Sequence, residues 1–236
     1  MEQKIGVIIV AGGSGKRCGG NTPKQFRFLG MKPVLAHTIN HFSDAFPQSE
    51  IVVVLPEQHI DYWKDLSARF DVAKHEVTAG GKERFFSVLN GINALKTDVD
   101  LIAVQDGVRP LATSQMILRV AEAAAKQGAA IPVVLPADSF REMCGEDSHI
   151  IDRSALRVVQ TPQIFQADLL RRAYGVEFSP AFTDDASVVE HSGAKIALVE
   201  GERTNLKITT EEDFVIANAI LEAREEAEEA SKAKEK

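Results

Sequence analysis

Short apolar runs rich in β-branched residues alternate along the chain with longer amphipathic stretches. Four of these runs are continuously apolar, which is typical of strands in a sheet that is covered on both faces. They predict strands at Ile5–Val10, Ile51–Leu55, Leu101–Val104 and Ala130–Leu135. A fifth strand is predicted later in the chain, at Lys195–Val199.

The amphipathic stretches between these runs predict helices. The predicted helices are Pro33–Ala45, His59–Phe70, Glu83–Leu95, Ser114–Gln127, Ala167–Val176, a short helix after Thr183, and Thr210–Leu221. Pro33 suits a first helical turn, where its missing N–H is not needed. Because strands alternate with helices, we predict an α/β fold with a mostly parallel sheet and right-handed crossovers.

The alternation is interrupted between Asp138 and Val159, where a polar centre ("CGEDS") is flanked by two arms of mixed polarity. We interpret this segment as a projecting β-hairpin that lies outside the core. From about 223 to 236 the chain is highly charged, and we expect this tail to extend the last helix and then fray. No internal repeat or linker divides the sequence, so residues 1–236 are predicted to form one domain.

The composition narrows the class of protein. Of the 236 residues, 44% are hydrophobic and 26% are charged, which is ordinary for a soluble domain. The net charge of -7 argues against a nucleic-acid coat or a membrane-surface protein, so any basic site must be local. Cys18 and Cys144 suggest no disulfide framework, and no stretch reaches transmembrane length. We therefore expect a cytoplasmic protein that binds neither nucleic acid nor membrane.

The segment "AGGSGKRCGGNTPKQ" (residues 11–25) combines glycines with three cations directly after the first predicted strand. Ligands of open parallel sheets bind at the carboxyl ends of the strands, so this loop is a candidate binding site. A dinucleotide fingerprint would need glycine in place of Cys18. A P-loop would need glycine in place of Val10 and a hydroxyl in place of Arg17. Both patterns fail at positions that their mechanisms require.

A third interpretation is a loop whose backbone N–H groups surround a triphosphate, with Arg17 and Lys24 adding side-chain charge. Pro23 would stiffen the segment just before Lys24. The alternative is a strand-to-helix turn with solvated cations. The ordered combination of glycines, Arg17 and then Pro-Lys-Gln favours the phosphate site.

Together with six further motifs, this loop is similar to the sugar- and polyol-phosphate nucleotidyltransferases. The motifs are "GGKERFFSV" (80–88), "QDGVRP" (105–110), "IDR" (151–153), "TPQIF" (161–165), "TDDAS" (183–187) and "NLKIT" (205–209). In this order they resemble the 2-C-methyl-D-erythritol 4-phosphate cytidylyltransferase family over residues 4 to 222. The resemblance implies a nucleotide-binding, Rossmann-like sheet, a β-arm for dimerisation, and CTP, a polyol phosphate and Mg²⁺ as reactants and cofactor.

The same resemblance implies a homodimer with shared active sites and a set of functional residues. It gives catalytic roles to Arg17, Lys24, Arg153 and Lys207, nucleotide contacts to Ala11, Gly12, Gly13, Gly15, Gly81, Ser87 and Asp106, and substrate contacts to Arg109, Ser139, Thr161 and Thr183. Mg²⁺ is expected on the CTP phosphates and not on protein ligands. The sequence differs from the family pattern at Gly12, Lys82 and Ser139.

Some of these residues also have simpler interpretations. Asp106 with Gly107 and Pro110 would make an ordinary β-turn, and Thr183 before two acids would make a helix N-cap. His37 and His41 lie four apart, but without a third ligand they do not predict a metal site. Cys18 has no neighbour that would make it a necessary nucleophile.

Three alternative functions remain open at this point. The nearest is ribitol-5-phosphate cytidylyltransferase, which shares most of the motifs. An NAD-dependent oxidoreductase would need the third glycine and an acid ending the second strand, where the sequence instead reads "VLPEQ". A non-catalytic binding protein would not need cations at four separated positions. Release of pyrophosphate from CTP would separate these classes.

Overall fold

A computed structural model of the chain describes residues 3–13 and 22–234. The strands in these ranges are β1 Ile5–Val10, β2 Phe28–Leu29, β3 Lys32–Pro33, β4 Glu50–Leu55, β5 Glu76–Ala79, β6 Leu101–Asp106, β7 Ala129–Val134, β8 Phe140–Cys144, β9 Asp147–Ile151, β10 Val158–Val159, β11 Gln163–Gln166 and β12 Ala197–Glu200. The α-helices are α1 Val34–Ala45, α2 Ile60–Ser67, α3 Arg84–Ala94, α4 Ser114–Gln127, α5 Ala167–Ala173, α6 Asp185–His191 and α7 Glu211–Lys234.

An eight-stranded, mostly parallel sheet forms the centre of the molecule. Its order is β10-β7-β11-β6-β1-β4-β5, with β12 pairing in parallel with β7. β1 pairs in parallel with both β4 and β6, so the chain leaves β1 toward one side and later returns to the other. The predicted α/β class with a mostly parallel sheet is confirmed.

Both faces of this sheet are covered by helices. On one face Ile9 and Leu101 pack with Leu35 of α1, Trp63 of α2 and residues of α4. On the other face Ile8 packs with apolar side chains of α3, α5 and α6. Successive residues of β1 thus belong to different clusters, which is why the strand reads as a continuous apolar run.

Several predicted elements differ from the structure in detail. Pro33 ends β3 and precedes α1 as its N-cap, so it does not belong to the first helical turn. Predicted helices at 59–70 and 167–176 are shorter, because α2 ends at Ser67 and α5 at Ala173. The sequence analysis missed β11, which runs antiparallel between β6 and β7. This strand has only four residues with a glutamine at each end, so its sequence carries little strand signal.

The interrupted segment forms the predicted hairpin. β8 and β9 pair only with each other, and the turn between them places Gly145 at φ 68°, a conformation that favours glycine. Val158 and Val159, which the prediction includes in the hairpin, return to the main sheet and pair with β7. We therefore call residues 138–157 the arm.

The last helix continues through the charged tail. α7 runs from Glu211 to Lys234, well past the predicted end at Leu221. Phe214 and Ala217 pack in a third apolar cluster with Leu29 and Ile208, which anchors the start of the helix. No helix in the described ranges is long and apolar enough to cross a bilayer.

Gly91 allows α3 to pack closely on β1. A Cβ atom at this position would lie 2.4 Å from Cγ2 of Ile8. We expect Gly91→Ala to lower the free energy of unfolding by about 1–3 kcal/mol, since overpacking outweighs the gain in helix propensity. Urea denaturation measures the change. The control is Gln115→Ala on the exposed face of α4, which should stay within about 0.5 kcal/mol of wild type. A Gly91→Ala protein as stable as wild type would contradict the close packing.

Candidate active site

The candidate site lies where the chain changes direction across the sheet. Val10 at the end of β1 is in register with Asp106 at the end of β6, and Gly107 N donates to Val10 O at 2.9 Å. The loops that follow these two strands are therefore neighbours at the carboxyl edge. Such a switch point in an open α/β sheet is where ligands bind.

The first part of the glycine loop is held firmly at this edge. Ala11 is buried, its N–H donates to Val54 O at 2.9 Å, and its carbonyl accepts from Nε2 of Gln25 at 2.8 Å. Among residues 3–13 and 22–234, none lies within 4 Å of a Cβ atom built on Gly12 or Gly13. These residues therefore leave the backbone here accessible to a ligand. The predicted site residues Gly15 and Arg17, like Cys18, lie outside the described residues.

The side chain of Lys24 contacts a segment near the C-terminal end of the chain. It begins a short 3₁₀ turn after Pro23, its side chain is buried, and its Nζ donates to Ile208 O at 2.8 Å. Ile208 directly follows Lys207 of the "NLKIT" motif. The structure therefore brings the predicted residues Lys24 and Lys207 to the same region, although they lie far apart in the sequence.

Asp106 is the buried carboxylate at the centre of this region. Its Oδ2 accepts from Nζ of Lys207 at 3.0 Å and from Nε of Arg109 at 3.3 Å. Its backbone N–H donates to Oγ1 of Thr161 at 3.0 Å. Burial alone would raise the pKa of Asp106, but the charges of Lys207, Arg84 and Arg109 outweigh it and lower the pKa. The carboxylate is therefore ionised at neutral pH.

Asn205 is a buried residue to which the sequence analysis assigned no role. Its side-chain Nδ2 donates to Thr161 O at 2.9 Å, and its backbone carbonyl accepts from Nη1 of Arg109 at 2.8 Å. It thus ties together three segments that carry predicted site residues. The signal was present in "NLKIT", but only the tertiary contacts distinguish this buried amide from an exposed one.

A second part of the site is built around the start of α3. Gly81 N donates to Oγ of the buried Ser87 at 3.1 Å, and Ser87 in turn donates to Glu83 O at 3.2 Å. A Cβ atom on Gly81 would lie 2.3 Å from Cβ of Phe86, so glycine is required for this close turn. The predicted residues Gly81 and Ser87 therefore contact each other and fix the loop that precedes α3.

Arg84, also missed by the sequence analysis, anchors this loop through a buried ion pair. Its guanidinium donates to both carboxylate oxygens of Asp185, at 2.9 and 2.6 Å, and the hydroxyl of Tyr174 donates to Oδ1 of the same carboxylate at 2.7 Å. Burial favours the neutral form of Arg84, but Asp185 raises its pKa overall. Burial and then Asp185 also raise the pKa of Tyr174. Both Arg84 and Tyr174 therefore keep their ordinary neutral-pH charge.

Thr183 is not the helix N-cap that one interpretation of the sequence predicts. The cap of α6 is Asp184, whose side chain accepts from Ser187 N, while Ser187 Oγ accepts from Asp184 N. The carboxylate of Asp184 also accepts from Nε2 of Gln163 at 2.8 Å. Thr183 is left just before the cap.

Two predicted residues lie on the arm and not in the buried cluster. Ser139 is exposed where the arm begins. Arg153 is also exposed, and its Nη1 donates to Ala137 O at 2.6 Å. These contacts stay within the base of the arm.

No described contact joins the two helical histidines to Asp106, Lys207 or Lys24. Nε2 of His37 is 2.8 Å from Leu29 O, and burial lowers the pKa of both His37 and His41. No group of three or more His, Cys, Asp or Glu residues suited to hold a metal is present among residues 3–13 and 22–234.

The arrangement at the switch point is chemically suited to phosphates. Arg109 and Lys207 contact a single buried carboxylate, and Lys24 binds the carbonyl of Ile208, next to Lys207. No other described residue packs against the nearby glycines 12 and 13. Cations in a partly dry site can neutralise charge that develops on a transferred phosphoryl group. The described part of the site contains no His beside these groups that would act as a general base.

The chain is similar to proteins of known family along nearly its full length. Residues 5–223 match the family IspD: 2-C-methyl-D-erythritol 4-phosphate cytidylyltransferase. A protein of that name from Bacteroides thetaiotaomicron is 46% identical over 219 residues, covering 92% of this chain and 100% of the relative.

Solved structures are similar in fold as well. The crystal structure of 4-diphosphocytidyl-2C-methyl-D-erythritol synthase from Anaerococcus prevotii superimposes with a TM-score of 0.78 at 30% identity, covering 93% of this chain and 99% of that one. The 2-C-methyl-D-erythritol 4-phosphate cytidylyltransferase from Thermus thermophilus has a TM-score of 0.72 at 32% identity, with 93% and 98% covered.

The buried ion pair at Asp185 makes a clear prediction. We expect Asp185→Asn to lower the free energy of unfolding by about 3 kcal/mol, the low end for a broken buried pair, since the Arg84 side chain is 31% exposed. Tyr174→Phe, which removes one hydrogen bond to the same carboxylate, should cost only about 1 kcal/mol. Guanidinium denaturation of both variants measures the difference. Equal losses would mean that Arg84 gains nothing from the carboxylate charge.

Proposed function

The chain belongs to the 2-C-methyl-D-erythritol 4-phosphate cytidylyltransferase family, and we propose on that premise that it transfers the cytidylyl group of CTP to 2-C-methyl-D-erythritol 4-phosphate. Pyrophosphate is the second product, and the reaction is a step of non-mevalonate isoprenoid biosynthesis. The observation that carries the proposal is that Lys207 and Arg109 pair with Asp106 at the switch point, while Lys24 binds the carbonyl of Ile208, next to Lys207.

The reaction needs positioning and charge stabilisation more than covalent help. An oxygen of the substrate phosphate, already ionised at neutral pH, attacks the α-phosphorus of CTP, and the bond to the β-phosphate oxygen breaks. In this proposal Arg17 and Lys24 stabilise the charge on the five-coordinate phosphorus, while Arg153 and Lys207 position the attacking phosphate. No general base is required, because the nucleophile has no proton to lose.

The remaining predicted residues would bind the two substrates. For the nucleotide, we propose the backbone at Ala11, Gly12, Gly13 and Gly15, the turn at Gly81 with Ser87, and Asp106. For the polyol phosphate we propose Arg109, Ser139, Thr161 and Thr183. Thr161 and Arg109 are supported by their contacts with Asp106 and Asn205, which hold them at the same edge of the sheet.

Mg²⁺ fits this site as a companion of the nucleotide. The described groups at the site are cationic side chains, backbone N–H groups and one carboxylate. That carboxylate already accepts hydrogen bonds from Lys207 and Arg109. Such a donor set suits a triphosphate that carries its own Mg²⁺, as the family resemblance implies. When bound, the ion would add charge neutralisation on the phosphates.

We propose that the arm docks on a second copy of the chain to form a homodimer. Phe140, Met143 and Ile150 are apolar yet 40%, 66% and 63% exposed, and among the described strands β8 and β9 pair with each other but with none of the central sheet. A two-fold dimer would cover both arms by the same contact. Arg153 would then reach the partner's site, and each active site would contain residues of both subunits.

We also propose that the enzyme works in the cytoplasm. Two cysteines in 236 residues do not make a disulfide framework, and Cys144 is a free thiol on the exposed arm. Exposed thiols persist in a reducing compartment.

Product formation with each polyol phosphate tests the substrate. With CTP and Mg²⁺, we expect the purified protein to use methylerythritol phosphate with a kcat/KM at least about a hundredfold above that for ribitol 5-phosphate, because a lost pair of substrate hydrogen bonds costs about 3 kcal/mol. Pyrophosphate release measures both rates. A higher kcat/KM for ribitol 5-phosphate would show that the protein is a ribitol-5-phosphate cytidylyltransferase. Reactions with UTP in place of CTP are the nucleotide control.

A mixed dimer tests whether the sites are shared. Arg153→Ala and Lys24→Ala homodimers should each lose nearly all activity, by on the order of a hundredfold or more. In a mixed dimer one site inherits both defects and the other inherits neither. Random pairing makes about half of the dimers mixed, so co-expression should restore about a quarter of wild-type activity.

The mixed dimer is isolated with two different affinity tags and assayed for pyrophosphate release. Half of wild-type activity per isolated mixed dimer is expected. A verified mixed dimer without activity would show that Arg153 serves its own subunit. An Arg153→Ala homodimer with wild-type activity would show that Arg153 has no role in the reaction.

A further inference from the structure

A cavity lies between the site and the arm, and it contains a cation with no assigned role. This arm-base cavity has a volume of ≈ 330 Å³, and its lining includes Arg109, Leu135, Ala137, Arg203 and Lys207. Arg109 and Lys207 are already candidate site residues, whereas Arg203 is not. The cavity is large enough for a small phosphorylated polyol.

Positive charge exceeds negative charge around this cavity. Asp106 is the carboxylate that meets Lys207 and Arg109, at 3.0 and 3.3 Å. Within the described part of the chain Arg203 forms no salt bridge, and its Nη2 donates to the carbonyl of Leu135 at 3.2 Å. Three cations therefore line the cavity while the one carboxylate that pairs with them, Asp106, contacts two, and the excess positive charge attracts a dianion.

The nearest carboxylate in the sequence, Glu202, does not change this balance. Its Oε1 accepts from Oγ1 of Thr113 at 2.6 Å and lies 3.8 Å from Nη2 of Arg119. The Glu202 side chain is therefore directed toward α4 and is not paired with Arg203.

The guanidinium of Arg203 retains donors for a ligand. One of its five N–H groups is used by Leu135 O, and an arginine fork matches the oxygens of a phosphate better than any other side chain. Leu135 and Ala137 precede the arm, and Ala137 O accepts from Arg153 at 2.6 Å. Arg203 thus stands at the wall of the cavity that faces the arm.

We propose that Arg203 is a substrate-binding residue that contacts the phosphate of the polyol phosphate in the arm-base cavity. The inference rests on the proposed function for the identity of that substrate. Arg203 acts together with Lys207, so that the phosphate is held by a forked contact on one side and a point charge on the other.

Steady-state kinetics of Arg203→Gln and Arg203→Lys test this role. In Arg203→Gln we expect the KM for methylerythritol phosphate to rise about tenfold or more, because a charge-assisted hydrogen bond to phosphate is lost. The KM for CTP should stay within about twofold of wild type, since the lost contact involves the other substrate. Arg203→Lys keeps the charge but loses the forked contact, so its KM for methylerythritol phosphate should lie between those of wild type and Arg203→Gln.

Arg119→Gln is the matched control. Arg119 is also an exposed arginine that donates to a backbone carbonyl, Glu200 O at 3.0 Å, but it lies outside the cavity. Its KM values should match those of wild type. If Arg203→Gln instead raised both KM values equally, or lowered kcat alone, Arg203 would be an anchor of the arm and the proposal would be wrong. Unchanged kinetics would also overturn it.

Binding measured directly separates this proposal from the proposed function. Calorimetric titration of methylerythritol phosphate should show a similar loss of affinity in Arg203→Gln and none in Arg119→Gln. If wild type binds and converts only ribitol 5-phosphate, the proposed function fails, and the same comparison with ribitol 5-phosphate decides the role of Arg203. Equal affinity of both variants for the acceptor that wild type uses would refute the role of Arg203.

Discussion

The rest of the candidate site depends on the ion pairs of one buried carboxylate, that of Asp106. It ends β6 beside the end of β1, and it pairs with Arg109 of its own turn and with Lys207 of a distant segment. A buried charge is tolerated only when it is paired, so the segment before α7 must return to this edge of the sheet. Lys24 is drawn to the same place by its bond to Ile208 O. One carboxylate thereby collects cations that a phosphate substrate requires.

The same balance of charge explains why the cations are available to a ligand. Asp106 compensates only part of the positive charge, and Arg203 adds to the excess at the wall of the arm-base cavity. A site with full internal compensation would bind a polyphosphate poorly, because the ligand would have to break existing ion pairs. The carboxylate therefore supports the cations without neutralising them.

The first turn of α3 is held by a second set of buried contacts. The ion pair of Arg84 with Asp185 connects the loop at Gly81, proposed to bind the nucleotide, to the segment that contains Thr183, proposed to bind the polyol phosphate. The carboxylate of this pair also accepts a hydrogen bond from the Tyr174 hydroxyl, which adds to the contacts that fix the relative position of the two loops. Loops held in place keep bound reactants in line for transfer.

The sequence by itself determined the elements with strong periodicity and the motifs with fixed local spacing. The continuous apolar runs identify β1, β4, β6 and β7, and the polar "CGEDS" centre identifies the arm, because these signals depend on neighbouring residues. The tertiary structure alone decided that β11 lies antiparallel in the middle of the sheet and that Asn205 and Arg84 connect segments that carry candidate site residues. Each of these depends on partners that are distant in the sequence, and the free energy of burying a polar group is set by such partners and not by local sequence.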